Sequence, residues 1–564
     1  LPRAVVESRL RNALSTSALH AVRPIWTVRA RILTAALATV VAGAAICAAT
    51  APAAELPAQI RKIMDKPRYA GAKWSLLVKD LDTGKITYAL RPDEMSLTGS
   101  TRKLFSVGAA LAGLGADHRE TTRVVRRGRF GADGRLRGGL VLVAGGDLTL
   151  GGRRIGVDGI RFTDFDHNDA NALGSAELTP QDPLAGLDRL AREVRASGVR
   201  SVAGNVAVDD RLFRPYRVPN GNLLITPIMV NENMVDVTLA PTAPGKPARL
   251  AYRPRTAALR VDGSVETVGA GGRADVSLSG GGRVGCIGET ACAGVVGGTL
   301  PVGYVAPLTG LPTFVGTFRV ENPAAFARTA FVEALRRAGV TVTAPTVEAN
   351  PRGLLSPSRR YPVAALLASL RSAPYAQIAR LVLKVSLNLG ANLSLSLFGL
   401  SRGERTVTGA LAAERRYLVR RFRVDPKLFA FPTNGSGTPD SRAAPRALVQ
   451  LLSAVAAGPV ARPFAGSLPI LGRDGSLAHT GTTLPARGHV LAKTGTTIVP
   501  TAAGDSFELK AQNLAGYIHA ANGHHLAFAL MVNDAGEIDD IEGDVAGVFE
   551  DQARITNVIY EEGR

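Results

Sequence analysis

Three short runs carry residue types able to perform nucleophilic chemistry. Ser100 and Lys103 stand three residues apart where apolar spacing predicts that a helix begins. That spacing sets both side chains on one helical face. The hydroxyl then sits among backbone N–H groups whose partial positive charge favours an oxygen anion, and the neighbouring amine can accept its proton. Ser386 and Asn388 follow Lys384 in an otherwise apolar helical stretch, where polar side chains must find partners or line a cavity. Lys493, Thr494, Gly495 and Thr496 follow a strand-like segment at 488–492, and a glycine there suits close approach of a ligand to a sheet edge. Singly, the three also read as a helix cap, a helix face and a turn. Their joint occurrence in this order carries the weight.

The elements that must position these runs are legible in outline. Residues 74–80, a turn at Asp82-Thr83-Gly84 and residues 85–90 read as a hairpin. From Ser100 the apolar period runs through Leu104, Val107 and Leu111 and stops at glycines 113–115. Helical texture returns over 363–400, and 514–518 with 526–532 around Asn522-Gly523 reads as a second hairpin. Between them the texture changes to short strands with many Gly and Pro, plus helices at 183–197 and 324–338. The reading is therefore one discontinuous domain, residues 54–125 and 356–564, interrupted by an α/β insertion at 126–355 in which a small β subdomain is nested at about 216–312.

Length supports several domains, since 564 residues exceed one compact core. Hydrophobic residues at 46%, charged residues at 20% and 61 glycines exclude a disordered or coiled-coil chain. The net charge of +20, with only eleven lysines among 67 basic residues, favours an anionic partner, for which an envelope surface is the expectation, or reflects solubility plus a residue bias. There is no zinc-finger spacing, no run of interleaved aromatics and no basic helix, so no nucleic acid is expected. Arg3, Arg9, Arg11, Arg23, Arg29 and Arg31 precede an uncharged stretch at 32–50, and Ala51-Pro52-Ala53 follows it. This predicts a signal peptide over 1–53 and export to the periplasm or another extracytoplasmic part of the envelope, with cleavage or retention as an anchor both open. Cys47 follows Ile46, where lipid attachment needs a small residue, so it is discarded with the signal. Cys286 and Cys292 are expected to form a structural disulfide, with free thiols as the alternative.

Ser-x-x-Lys, Ser-x-Asn and Lys-Thr-Gly, in that order, form the set found in penicillin-binding proteins and β-lactamases. Here 286 residues separate Ser100 from Ser386 and 107 separate Ser386 from Lys493, and a compact β-lactamase has no room for the first interval. Over most of residues 55–564 the chain resembles the class C low-molecular-mass penicillin-binding proteins, the D-alanyl-D-alanine carboxypeptidase/endopeptidase family of serine peptidases. Supporting segments are residues 99–110, Gly145-Gly146-Asp147-Leu148-Thr149-Leu150, Asn434-Gly435-Ser436-Gly437 with Ser441-Arg442, residues 468–477 with Asp474-Gly475, and Leu514-Ala515-Gly516-Tyr517. The resemblance implies a mixed α/β fold: a discontinuous transpeptidase/β-lactamase-like domain with an antiparallel sheet and helices, interrupted by a large insertion. Leu387 stands where the family often has Asp or Tyr, Asn392 where an acid is common nearby, and Gly146-Asp147-Leu148 replaces Gly-Asp-Pro. These departures bear on selectivity near the cleft.

The resemblance also implies roles. Ser100 attacks the carbonyl between two terminal D-alanines of a peptidoglycan stem peptide and forms an acyl-enzyme that water hydrolyses; β-lactam antibiotics become covalent inhibitors. Lys103 is the base, which requires a neutral amine and a pKa about three units below the ordinary lysine value. Ser386 relays a proton to the leaving amine, and Asn388 holds Lys103 and the substrate amide. Lys493, Thr494, Gly495 and Thr496 form the substrate-binding strand, and the oxyanion lies between the N–H groups of Ser100 and Thr496. No cofactor and no metal are implied. Asp164, Asp166, His167 and Asp169 lack the glycine turn and terminal Glu of a calcium loop and read as a solvated loop; His524-His525 reads as a hairpin tip. Two alternatives stay open: a β-lactamase or esterase on the same domain, which in its class A form needs a general-base Glu for which Glu404 and Glu414 are the only candidates between the second and third motifs, and a non-catalytic cell-wall-binding protein. Oligomeric state and the balance of carboxypeptidase against endopeptidase action are also open.

Overall fold

The strands near the two ends of the chain are apolar on both faces. Leu76, Val78, Phe528, Leu530 and Val532 enter one core, while Leu77, Ala527, Ala529 and Met531 enter another. Such strands must be covered on both sides. In the computed structural model, which describes residues 54–167, 174–501, 506–538 and 541–563, Lys73–Asp80 and His525–Asn533 pair antiparallel, from Lys73 opposite Asn533 to Asp80 opposite Leu526. The full order is Ile86–Leu90, Lys73–Asp80, His525–Asn533, Phe507–His519, Val490–Pro500, with the short Glu537–Ile538 added to Phe507–His519. One sheet thus joins segments more than 400 residues apart, as a discontinuous domain requires.

One face of this sheet is covered by helices Ala58–Met64 and Ile541–Glu562, through Ile60, Ile555 and Ile559. The other meets a helical layer that contains Arg102–Leu114, Tyr375–Lys384, Asn388–Ser401 and Pro445–Ala456. Alanines at 527 and 529 leave room for Leu448 and Leu452 on that side. The segment carrying the first motif therefore lies between sheet and helices.

The insertion has its own sheet, ordered Thr341–Val342, Ser201–Val202, Arg135–Val143, Thr121–Phe130, Leu366–Arg371, with Val206–Asp209 also paired to Arg135–Val143. Helices Ala185–Ala196 and Pro323–Arg337 contribute Leu187, Leu190, Phe326 and Phe331 to its core. Beyond it lie two four-stranded sheets, one containing Met234–Ala240 and Phe314–Val320, the other built around Ala293–Pro301. Cys286 and Cys292 are bonded, with Cα atoms 5.2 Å apart.

Two local readings change. The strand Leu366–Arg371 falls inside a stretch read as helical from 363, and it pairs with Thr121–Phe130. The inserted sheet consequently spans 121–371 rather than 126–355. A six-residue strand with buried Ala368 and Leu370 between exposed ends shows too short a period to be distinguished from a helix turn by composition. Residues 1–53, with the expected signal and Cys47, and Asp169 lie outside the described residues.

Candidate active site

Gly99–Thr101 forms one 3-10 turn that runs directly into the helix Arg102–Leu114, so Ser100 occupies the helix start. The turn is anchored to the sheet just before it: the Leu97 N–H donates to Asn533 Oδ1 at 2.9 Å, and Asn513 Nδ2 donates to the Leu97 carbonyl at 2.8 Å. Lys103, one turn on, is fully buried, and its Nζ lies 2.6 Å from Ser100 Oγ.

The second motif sits in a break between helices rather than within one. Tyr375–Lys384 ends, Ser386 takes a left-handed backbone at φ 60°, and Asn388–Ser401 begins. This kink turns Ser386 and Asn388 toward Lys103 while Leu387 enters the core at 1% exposure. The family departure at Leu387 is therefore a core side chain. Lys103 Nζ donates to Asn388 Oδ1 at 2.5 Å and to Ser386 Oγ at 3.3 Å. Asn392 supports this arrangement: its amide donates to the Asn388 carbonyl at 2.9 Å and to Ser436 Oγ at 3.0 Å, and its Oδ1 accepts the Gly435 N–H.

The third motif lies on Val490–Pro500, the edge strand. Lys493 is fully buried, and its Nζ donates to Ser386 Oγ at 2.8 Å, to the Thr494 carbonyl at 2.8 Å and to Thr494 Oγ1 at 3.3 Å. Thr494 Oγ1 also meets Ser476 Oγ at 2.8 Å, and Thr496 Oγ1 donates to Gln512 Oε1 at 2.9 Å. All eight residues singled out in the sequence thus converge. A continuous polar path runs Ser100, Lys103, Ser386, Lys493, Thr494, Ser476, and one serine oxygen stands between two lysine amines. Such a path can carry a proton from the nucleophile to a leaving group on the far side of the cleft.

Glycines make the approach possible. A Cβ on Gly99, at φ 47°, would stand 2.7 Å from the Thr496 nitrogen and 2.8 Å from the Gly495 carbonyl carbon. A Cβ on Gly437 would stand 2.0 Å from the Gly99 carbonyl oxygen, and one on Gly495 would be 2.5 Å from the Thr98 carbonyl oxygen. The serine turn is held backbone to backbone between the third-motif strand and the 434–437 loop, which brings the Ser100 and Thr496 main chains together.

Several positioning groups were not evident from the sequence. Lys384 donates to both carboxylate oxygens of Asp474 at 2.6 Å, and burial pushes its amine below the ordinary lysine range against the pull of Asp474. The Gly475 N–H donates to Asp164 Oδ1 at 2.6 Å. The Asp474-Gly475 pair and the 468–477 segment were visible signals, and Asp164 stood out as one of an acidic cluster; the roles of Ser476 and Asp164 were not readable, because their partners come from distant segments. Residues 164–167 are also not a solvated loop. Asp166 and His167 are buried in an ion network with Arg153, Glu232 and Asp236. Burial alone would lower the His167 pKa, but Asp236 and Glu232 raise it to about 10. Of the two glutamates between the motifs, Glu414 is buried and paired with Arg102 at 2.8 Å, and Glu404 lies 3.7 Å from Arg416; neither is bonded to the motif side chains.

The fold is similar to that of penicillin binding protein 4 from Haemophilus influenzae, with a TM-score of 0.64 at 19% identity, covering 89% of this chain and 99% of that one. The same protein complexed with a β-lactam gives a TM-score of 0.61 at 20% identity over 89% and 99% of the two chains. A D-alanyl-D-alanine carboxypeptidase of Actinomadura sp. (strain R39) is 29% identical over 502 residues, 85% of this chain and 81% of the relative. The family model described as the D-Ala-D-Ala carboxypeptidase 3 (S13) family matches residues 56–551, a span that contains every residue of the polar path, and the chain belongs to that family.

Proposed function

We propose that the chain is a serine D-alanyl-D-alanine peptidase that acts on peptidoglycan stem peptides through an acyl-Ser100 intermediate and is acylated at the same hydroxyl by β-lactams. The carrying observation is the placement of Ser386 Oγ between the Lys103 and Lys493 amines, 3.3 and 2.8 Å away, with Lys103 2.6 Å from Ser100. With its amine neutral, Lys103 takes the Ser100 proton as Oγ bonds to the carbonyl carbon. The oxyanion is held by the N–H groups of Ser100 and Thr496, and losing one such donor typically costs about 3 kcal/mol of barrier lowering. The carbon–nitrogen bond then breaks, and the leaving D-alanine amine receives the proton from Lys103 through Ser386. Water, deprotonated by the same path, releases the acyl group. Asn388 holds the substrate amide, and Lys493, Thr494 and Thr496 hold its terminal carboxylate; Gly495 keeps the strand open to the serine turn. The Actinomadura relative's name supports the carboxypeptidase reading. Residues 1–53 support action outside the cytoplasm, which N-terminal sequencing of the mature protein tests.

The deciding experiment is labelling of the purified protein by a fluorescent penicillin, with mass spectrometry of the labelled peptide, beside Ser100→Ala. A stable adduct on Ser100, absent from the variant, with D-alanine released from a D-alanyl-D-alanine peptide, is the expected result. An adduct lost within seconds would instead make the protein a β-lactamase. Absence of any adduct would refute the peptidase reading.

A further inference from the structure

The strands Thr121–Phe130 and Arg135–Val143 carry six arginines, at 123, 126, 127, 129, 135 and 137, and no acid; Asp133, in the turn between them, is the hairpin's one carboxylate. Among the described residues none of the six forms an ion pair. Arg126 donates to two backbone carbonyls, and the Asp133 carboxylate is taken by the Arg135 N–H at 3.0 Å. The pairing runs without a shift from Arg123 opposite Val143 to Phe130 opposite Leu136. With side chains alternating between faces, Arg127, Arg129, Arg135 and Arg137 share one face, and all four are exposed. Arg129 lies directly opposite Arg137. Like charges at directly opposed positions destabilise a hairpin, so fold stability gives no reason for this pair.

Nearer the domain the same face is apolar and covered: Val125, Val141 and Val143 pack with Ala365 and the 354–361 segment. The four exposed arginines begin where that cover ends, while Arg123, on the same face opposite Val143, is half-buried within it. Leu136 and Leu140 face the other way into the insertion's core, so the hairpin's position is fixed by packing that the arginines do not share.

We propose that this face of the inserted domain is a docking surface for an anionic, phosphodiester-bearing polymer of the cell envelope. Four guanidinium groups at alternate strand positions repeat about every 7 Å along each strand, which matches a chain of repeated anions better than a single ion. Guanidinium forks bind phosphate oxygens in pairs, a geometry that lysine does not offer, and none of the eleven lysines lies on this hairpin. The arginine-bearing end of the hairpin itself presents no apolar side chain and no aromatic ring on this face, Phe130 lying on the opposite one; the exposed Leu366, opposite Val125, and Val363 in the adjoining turn lie beside the covered end, and the vesicle arm of the test addresses them.

The test is binding of the full chain to synthetic poly(glycerol phosphate) across a salt series. It is run beside vesicles of phosphatidylglycerol in phosphatidylcholine and a single-stranded DNA of equal charge. The Arg127→Gln, Arg129→Gln, Arg137→Gln triple is expected to bind the polymer at least tenfold more weakly, with a salt dependence shallower by about one per arginine removed. Its penicillin labelling should match wild type, which also shows that it folds. Arg129→Glu alone should move binding the same way. Unchanged polymer affinity in both variants would overturn the proposal, and so would tighter binding of wild type to the vesicles or to the DNA than to the polymer.

Discussion

Replacing Gly99 by alanine tests whether the serine turn must touch the third-motif strand. The new Cβ would stand 2.7 Å from the Thr496 nitrogen, 2.8 Å from the Gly495 carbonyl carbon and 3.0 Å from the Thr496 carbonyl carbon. All three are backbone atoms of a buried strand, so relief must come from separating the turn and the strand by roughly half an ångström or more. The φ of 47° adds a left-handed penalty on the order of 1 kcal/mol. The displaced groups are the ones that would flank the oxyanion. A misplacement of about 1 Å costs on the order of a hundredfold, and loss of one oxyanion donor on the order of 100- to 1,000-fold. Gly99→Ala is therefore expected to lower the acylation rate by a fluorescent penicillin about 100- to 1,000-fold, measured by quenched-flow labelling. Gly84→Ala is the control: its φ is 76°, but a Cβ there meets nothing within 4 Å. It should lose a little stability and acylate normally. If Gly99→Ala acylated within threefold of wild type, close approach of the turn and the strand would not be what builds the site.

Ser386→Ala removes the oxygen between the two amines and should slow acylation at least a hundredfold, while the initial non-covalent affinity for penicillin stays within about threefold; stopped-flow kinetics separate the two, and an unchanged acylation rate would sink the relay. Glu414→Gln leaves the buried Arg102 guanidinium without its carboxylate, which should cost about 3–5 kcal/mol in chemical denaturation, whereas an unaltered midpoint would show the pair to be dispensable. His167 has a folded pKa raised to about 10 from 6.5. Its contribution to stability is thus complete below about pH 6.5 and lost as pH rises through 10. Thermal melts from pH 6 to 10.5 should show that decline, and His167→Gln should flatten it; identical pH slopes in the two proteins would contradict the charged, paired His167.

Much of the site was legible because each motif is local. Ser100 and Lys103 lie one helical turn apart, and helix geometry alone brings them together. Lys493 and Thr494 share a strand. The two outer hairpins were readable from alternation and from Asn522-Gly523, and the disulfide from two cysteines six residues apart. What failed depended on distant partners. Residues 164–167 look like a solvated acidic loop until Arg153 and Glu232 arrive from elsewhere in the chain. Ser386 looked like a residue within a helix, whereas the site depends on the left-handed break at φ 60° that turns it toward both lysines. The strand Leu366–Arg371 was hidden for the same reason, since its pairing with Thr121–Phe130 and not its composition makes it a strand.

The sequence by itself determined the reactive groups, their order and the presence of a long insertion, because residue identity, helical spacing and strand alternation are local properties of the chain. Only the tertiary structure decided that Ser386 stands between Lys103 and Lys493, that Gly99, Gly437 and Gly495 are spaces where backbones touch, and that four arginines with no ion pair among the described residues share one open face. The first two are distances between segments about a hundred to four hundred residues apart, set by which apolar faces are buried against one another rather than by any short run of residues, and the third depends on which part of a local hairpin the rest of the fold covers.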